Sequence, residues 1–263
     1  MKDLNVTLIQ TDIVWEDPAA NLAHYAEMIG KIGEATDLII LPEMFTTGFT
    51  MNPAANAETM NGPAVNWMKQ QAATTRAAVM GSLVIEEGGE YFNRLIWMLP
   101  DGNFQTYDKR HLFAMAGEHE RYRAGTDRLV VQYKGWRICP LICYDLRFPV
   151  WARNDDAYDL LIYTANWPET RAYDWLTLLR ARAIENQCYA VGVNRVGTDA
   201  NGYVYNGDSC VVDPGWHRMI FHVDKTEAVR TERLSAGHLR AVREKLPFLR
   251  DRDQFEVRTG GKT

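Results

Sequence analysis

Trp136-Arg137-Ile138-Cys139-Pro140-Leu141-Ile142-Cys143-Tyr144-Asp145-Leu146-Arg147-Phe148-Pro149 carries the decisive reading of this chain. An apolar run leads into Cys143, and the residues after it change abruptly to a polar turn that should open a helix. A strand ending in a nucleophile at a sharp turn exposes that side chain, and the following backbone N–H can face a developing oxyanion. The ordinary fate of a cysteine is a buried core thiol. Cys139, Cys188 and Cys210, each inside an apolar strand-like run, read that way. Cys143 stands where its run stops. Ligands of α/β sheets bind beyond the carboxyl ends of strands, so the next question is whether other strands also end in reactive side chains.

Two do. Asp37-Leu38-Ile39-Ile40-Leu41 is a short, continuously apolar run closed by Pro42, the pattern of a strand buried on both faces. Glu43 follows it among apolar residues, a setting that suits a general base. Gln105-Thr106-Tyr107-Asp108-Lys109-Arg110-His111-Leu112-Phe113 ends a strand-like run at Lys109. A lysine beside a thiol favours thiolate and can hold the oxyanion of a tetrahedral intermediate. Each feature has a plainer alternative: a capping glutamate, a solvated lysine, a core cysteine.

The surrounding pattern alternates strands and helices. Leu4–Gln10 reads as a strand, and Asp17-Pro18 caps a helix reaching about Gly33. A second helix should cover Ala64–Ala78. Ala78–Glu86, Tyr91–Leu99 and Asn103–Lys109 are strand-like, joined by Gly88-Gly89 and Asp101-Gly102. Leu129–Tyr133 and Trp136–Cys143 form a hairpin across Lys134-Gly135. Tyr158–Tyr163 is a buried strand and Tyr173–Gln187 the clearest helix. Strands near Tyr189–Val196, Asp208–Asp213, Met219–Val223 and Ala228–Arg233 precede a last helix from Ser235. No linker or repeat divides the series, so residues 1–257 read as one domain, with 258–263 a disordered tail. Mixed order with hairpins implies mixed sheets, and two helix-covered sheets suit about a dozen strands.

Composition excludes several classes. The 263 residues carry 29 Lys+Arg against 34 Asp+Glu, a net charge of −5, with 46% hydrophobic and 24% charged residues. Such a chain buries about three quarters of its unfolded surface without needing disulfides or metals. Its acidity offers nothing to a phosphate backbone, so no nucleic acid is expected. No apolar run nears the about 18 residues that span a bilayer. The start, Met1-Lys2-Asp3-Leu4-Asn5-Val6, enters a strand at once, and the four cysteines are too scattered for a secreted framework. A cytoplasmic protein with reduced thiols is expected. The tail Gly260-Gly261-Lys262-Thr263 lacks the earlier glycine of a phosphate loop, since Glu256 stands there. Arg123 stands where a zinc-binding helix starting at His119-Glu120 needs a second histidine. No metal or cofactor is implied.

Leu41-Pro42-Glu43, Tyr107-Asp108-Lys109-Arg110-His111-Leu112 and Ile142-Cys143-Tyr144-Asp145-Leu146-Arg147-Phe148-Pro149 resemble, in order and spacing, the Glu, Lys and Cys motifs of the nitrilase (carbon–nitrogen hydrolase) superfamily. The resemblance continues through Asn166-Trp167-Pro168, Arg180–Asn186, Gly207-Asp208-Ser209 and Asp213-Pro214, about Leu4 to Val257. Its details are most similar to the omega-amidase branch. It implies an α/β fold, a four-layer α-β-β-α sandwich of two mixed sheets, usually paired into homodimers.

The resemblance also implies roles. Glu43 is the base, Cys143 the nucleophile that forms a thioester, and Lys109 the oxyanion donor together with the Tyr144 N–H. A second glutamate follows the Lys motif: counting back seven residues from Gly125 points to Glu118, with Glu120 the fallback. The substrate implied is a small-molecule amide, a dicarboxylate monoamide such as 2-oxoglutaramate or 2-oxosuccinamate. Its far carboxylate calls for an arginine, and Arg171, in the loop after Trp167, is the candidate, unless it is simply a surface residue. Phe45, Phe113, Tyr144 and Trp167 could wall off water. A nitrilase or an N-carbamoyl amidohydrolase would use the same three residues. A non-catalytic scaffold is disfavoured by their presence, and a redox sensor by Cys139, which lies ~13 Å back along the strand.

Overall fold

The computed structural model describes residues 1–215 and 218–258. Apart from Arg258, the expected tail lies outside the described residues. The first half contains β1 (Leu4–Gln10), α1 (Pro18–Gly30), β2 (Leu38–Ile40), α2 (Pro53–Asn56), α3 (Pro63–Thr75), β3 (Ala78–Glu87), β4 (Glu90–Met98), β5 (Phe104–Asp108) and α4 (Glu118–Arg121). The second half contains β6 (Val131–Tyr133), β7 (Trp136–Ile142), β8 (Leu160–Thr164), α5 (Ala172–Asn186), β9 (Tyr189–Val193) and β10 (Val196–Thr198). It ends with β11 (Val204–Val212), β12 (Met219–Asp224), β13 (Ala228–Leu234) and α6 (Ala236–Lys245).

Both sheets are mixed. The first runs β13-β1-β2-β3-β4-β5 and the second β10-β11-β9-β8-β7-β6, with β12 beside β11. β1, β2 and β3 are parallel neighbours, as are β7, β8 and β9. Parallel strands covered on both faces need apolar residues throughout. In β2, Leu38 and Ile40 join the core between the sheets, whereas Ile39 packs with Tyr25 and Met28 of α1 and Val65 and Met68 of α3. On the opposite side Trp175 and Leu179 of α5 and Leu239 of α6 cover the second sheet. The layers are therefore helix, sheet, sheet, helix.

Local signals account for most boundaries. The Asp17 carboxylate accepts from Ala20 N at 3.0 Å ahead of Pro18, and the Ser235 hydroxyl accepts from His238 N at 3.2 Å, both N-caps. Three expectations shift. α1 stops at Gly30 because its last turn tightens, with Lys31 N bonding Met28 O and Ile32 N bonding Ile29 O. α3 stops at Thr75 because Arg76 takes a left-handed conformation, φ 56°. Beyond Cys143 the chain makes one 3₁₀ turn, Cys143–Arg147, instead of an α-helix. Phe148 precedes Pro149 and stands at φ −115°, ψ 87°, outside helical space.

Candidate active site

The site forms where the carboxyl ends of β2, β5, β7 and β8 meet between the two sheets. Leu41 extends β2 by bonding Met80 O at 2.8 Å, and Pro42 then turns the chain so that Glu43 enters the interior. Met44, in left-handed backbone at φ 43°, is held by the Ser82 hydroxyl at 2.9 Å. Lys109 follows β5, its N–H bonded to Asn93 O and its carbonyl to Gly125 N, both at 3.0 Å. A Cβ at residue 125 would lie 2.2 Å from Asp108 O, so only glycine permits this approach. Cys143 begins the 3₁₀ turn at φ 42°, a strained conformation for a residue with a Cβ.

These side chains meet. Glu43, Lys109 and Glu118 are fully buried. Lys109 Nζ donates to Glu43 Oε1 at 2.9 Å and to Glu118 Oε1 and Oε2 at 3.0 and 2.9 Å. Glu118 also accepts from Phe113 N at 2.5 Å, whereas Glu120 is exposed; Glu118 is thus the glutamate that faces Lys109. Asn166 N donates to Glu43 Oε2 at 2.9 Å, and its amide donates to Glu43 O at 2.7 Å. The half-buried Cys143 thiol donates to Asn166 O at 3.9 Å.

Burial acts on Cys143, Glu118 and Lys109. It drives the Cys143 thiol well above its ordinary value, the Glu43 charge adds to the rise, and Lys109 only partly opposes it. The resting sulfur is therefore protonated: Lys109 favours the thiolate, as a neighbouring cation should, but burial and the Glu43 charge outweigh it. Burial also raises the Glu118 carboxyl against the pull of Lys109. For Lys109 burial alone would favour the neutral amine. The charges of Glu118 and Glu43 outweigh it and hold the ammonium above its ordinary range. The site thus combines a thiol, a carboxylate able to take its proton and a permanent cation.

Cys143 and Lys109 open into a cavity of about 370 Å³, within the usual range for small-ligand sites. Phe113, Tyr144, Trp167 and Arg171 line it, together with Phe49, Arg147, Asp199 and Tyr205, which sequence reasoning did not single out. The Arg171 guanidinium lies 5.4 Å from the Phe113 ring centre, and its carbonyl accepts from Trp167 Nε1 at 2.7 Å. Arg147 instead pairs with Asp174 at 2.7 Å. Phe45 does not reach the cavity. It is core, packed against Tyr25 and Trp67. Asn93, which touches both carboxylates, was also missed, although a buried Asn inside an apolar strand is unusual enough to have flagged it.

Comparison with known proteins agrees with this geometry. The family model for carbon-nitrogen hydrolases matches residues 5–244. The chain is 46% identical to the omega-amidase YafV of Escherichia coli K12, covering 98% of this chain and all of that one. It is 30% identical to the 2-oxoglutaramate amidase of Bacillus subtilis, covering 94% and 96%. Among solved structures it matches XC1258 from Xanthomonas campestris, a CN-hydrolase superfamily protein with an arsenic adduct in its active site. That match has a TM-score of 0.95 at 46% identity and covers 98% and 100% of the two chains. Three strand-end motifs, a four-layer fold and full-length likeness converge: the chain belongs to the carbon–nitrogen hydrolase (nitrilase) superfamily as a hydrolytic enzyme, and within it resembles the omega-amidases.

Proposed function

We propose that this enzyme hydrolyses the terminal amide of small dicarboxylate monoamides, 2-oxoglutaramate and 2-oxosuccinamate among them, releasing ammonia through a cysteine thioester. The observation that carries the reading is the meeting of Cys143, Glu43 and Lys109 at the base of a cavity that also holds Arg171. The likeness to an omega-amidase and to 2-oxoglutaramate amidases supports the substrate class.

In the reaction, Glu43 takes the Sγ proton as the sulfur bonds to the carbonyl carbon, because a thiol held well above its ordinary value is poorly ionised beforehand. The oxyanion faces the Lys109 ammonium and the Tyr144 N–H. Lys109 has three N–H donors, directed at rest to Glu43 Oε1 and to both Glu118 oxygens, and one of the two bonds to Glu118 turns to the oxyanion as it forms. Glu43 passes the proton to the leaving nitrogen, the C–N bond breaks, and ammonia departs from the thioester. Water, losing a proton to Glu43, attacks the thioester carbon. The C–S bond then breaks, the carboxylate product leaves and the sulfur regains its proton. Glu118 anchors Lys109 through both oxygens. Arg171, with no carboxylate in salt-bridge range among the described residues, receives the substrate's distal carboxylate, and Trp167 fixes the backbone that presents it.

Ammonia release from a panel of amides, nitriles and N-carbamoyl amino acids tests the reading. Turnover of the monoamides and none by Cys143→Ala is expected; parental activity in Cys143→Ala would sink the nucleophile assignment. Arg171→Met should raise KM at least about ten-fold for a charged monoamide and leave a neutral amide nearly unaffected. Equal effects on both substrates would remove Arg171 from carboxylate recognition. The reading also carries a homodimer, for which exposed Val150, Tyr173 and Ile184 on and near α5 supply apolar surface. Light scattering on the purified protein tests it. A reducing compartment such as the cytoplasm accords with four free thiols.

A further inference from the structure

Asn93 lies in β4, fully buried and not itself part of the cavity lining in which a substrate would sit, its carbonyl accepting from Lys109 N at 3.0 Å. Its side-chain nitrogen donates to Glu43 Oε1 at 2.8 Å and to Glu118 Oε1 at 3.3 Å. Lys109 Nζ donates to the same two oxygens. Two carboxylates are therefore gathered by one cation, and a neutral amide spans the same gap from the other side. The amide oxygen finds no partner among the described residues. An orphaned buried acceptor is costly, so the orientation of this group is dictated by what its nitrogen holds.

We propose that Asn93 is a positioning residue of the amidase reaction, its two N–H bonds holding Glu43 and Glu118 together around Lys109 so that Glu43 stays a free base facing Cys143. An NH₂ group offers two donors about 120° apart, one for each carboxylate. Without it, two like charges share a single buried cation, and the pair yields by taking up a proton. The charged or titratable groups around the pair are Lys109 after β5, Cys143 at the 3₁₀ turn and Tyr122 after α4. Of these, Lys109 alone carries positive charge. Donors to an ionised carboxylate favour the ionised form, so their loss moves its protonation to higher pH.

This inference rests on the proposed reaction, and its test has an arm independent of any substrate. Asn93→Leu keeps the volume and removes the donors; Asn93→Asp keeps the shape and replaces the donor with an acceptor; Asn93→Ser leaves space. In Asn93→Leu, kcat for glutaramate should fall at least about ten-fold with KM within about two-fold. The acid limb of its kcat profile should move up by about one pH unit. Asn93→Asp should be as impaired or worse, although a merely space-filling role would leave this isosteric variant near parental. The second arm is iodoacetamide labelling of Cys143 against pH, read by mass spectrometry, which needs no turnover. Its rise should move upward in the same variants. A parent inactive on every amide would sink the functional reading while the labelling arm still judged Asn93. Parental profiles in Asn93→Asp overturn the proposal. Failure of all three variants to fold assigns Asn93 to folding alone and overturns it too.

Discussion

At Lys109, one side chain shows how this interior is balanced. Replacing it should nearly abolish turnover through the lost oxyanion donor. The side chain is also buried completely between two carboxylates, and removing one partner of a buried charge cluster strands the others. Lys109→Met is therefore expected to lose about 3 kcal/mol or more of stability, seen as a melting temperature roughly 10 °C lower. The sign of its pH response follows from Glu118, whose carboxyl burial already raises. A carboxyl with a folded value above its unfolded one costs stability as pH rises between the two. Without the ammonium that gap widens, so the variant should recover part of the loss as pH is lowered from about 8 toward 5. Calorimetry over that range checks it; a deficit constant with pH would mean the two carboxylates do not repel.

At the scale of elements, Asp145 joins the strand ends on which the site is built. Its Oδ2 accepts from Tyr107 OH of β5 at 2.8 Å and Ile142 N of β7 at 3.1 Å. Its Oδ1 accepts from His111 N at 3.0 Å and His111 Nδ1 at 2.8 Å. One carboxylate thus clamps the loop after Lys109, on the first sheet, to the turn that carries Cys143, on the second. Stacking of His111 on Phe148 at 3.7 Å braces the same joint. Asp145→Ala strands several buried donors and should cost about 3 kcal/mol. It should lower kcat well beyond what the unfolded fraction explains, because the thiol and the ammonium are no longer held together. Asp145→Asn keeps one acceptor oxygen and should fall between. Urea midpoints with kcat measured on folded protein separate the two effects, and an unchanged kcat in Asp145→Ala would show that the sheets alone keep register at the site.

For the whole molecule, the core between the sheets is the common support. Leu8 of β1 and Ile138 of β7 belong to one buried cluster, Ile138 on the β7 face that Trp136 turns to Lys2 beside β1. Truncation of either to Ala should cost about 2–5 kcal/mol. Since no half of the site belongs to one sheet, activity and tryptophan fluorescence should be lost together on heating. Activity vanishing well below the fluorescence transition would mean that the sheets can separate at the site before the core melts.

Residues near in sequence settled much of this. β1 spans Leu4–Gln10 as its alternation implies, and α6 starts after Ser235, because apolar period and capping act within a few residues. The three reactive strand ends were legible for the same reason, each marked by an apolar run that stops. What depended on contacts far apart in the chain was not legible. The choice of Glu118 over Glu120 was made by Lys109, the exclusion of Phe45 by Tyr25 of α1, and the role of Asn93 by two carboxylates 50 and 25 residues away. The resting state of the thiol belongs here as well, since desolvation and neighbouring charge exist only once the sheets have closed. Side-chain identity and local periodicity determined which groups could react. Burial, shared hydrogen bonds and the closing of one sheet on the other decided which of them meet, and in what state of protonation, because those energies arise between segments that only the folded chain brings together.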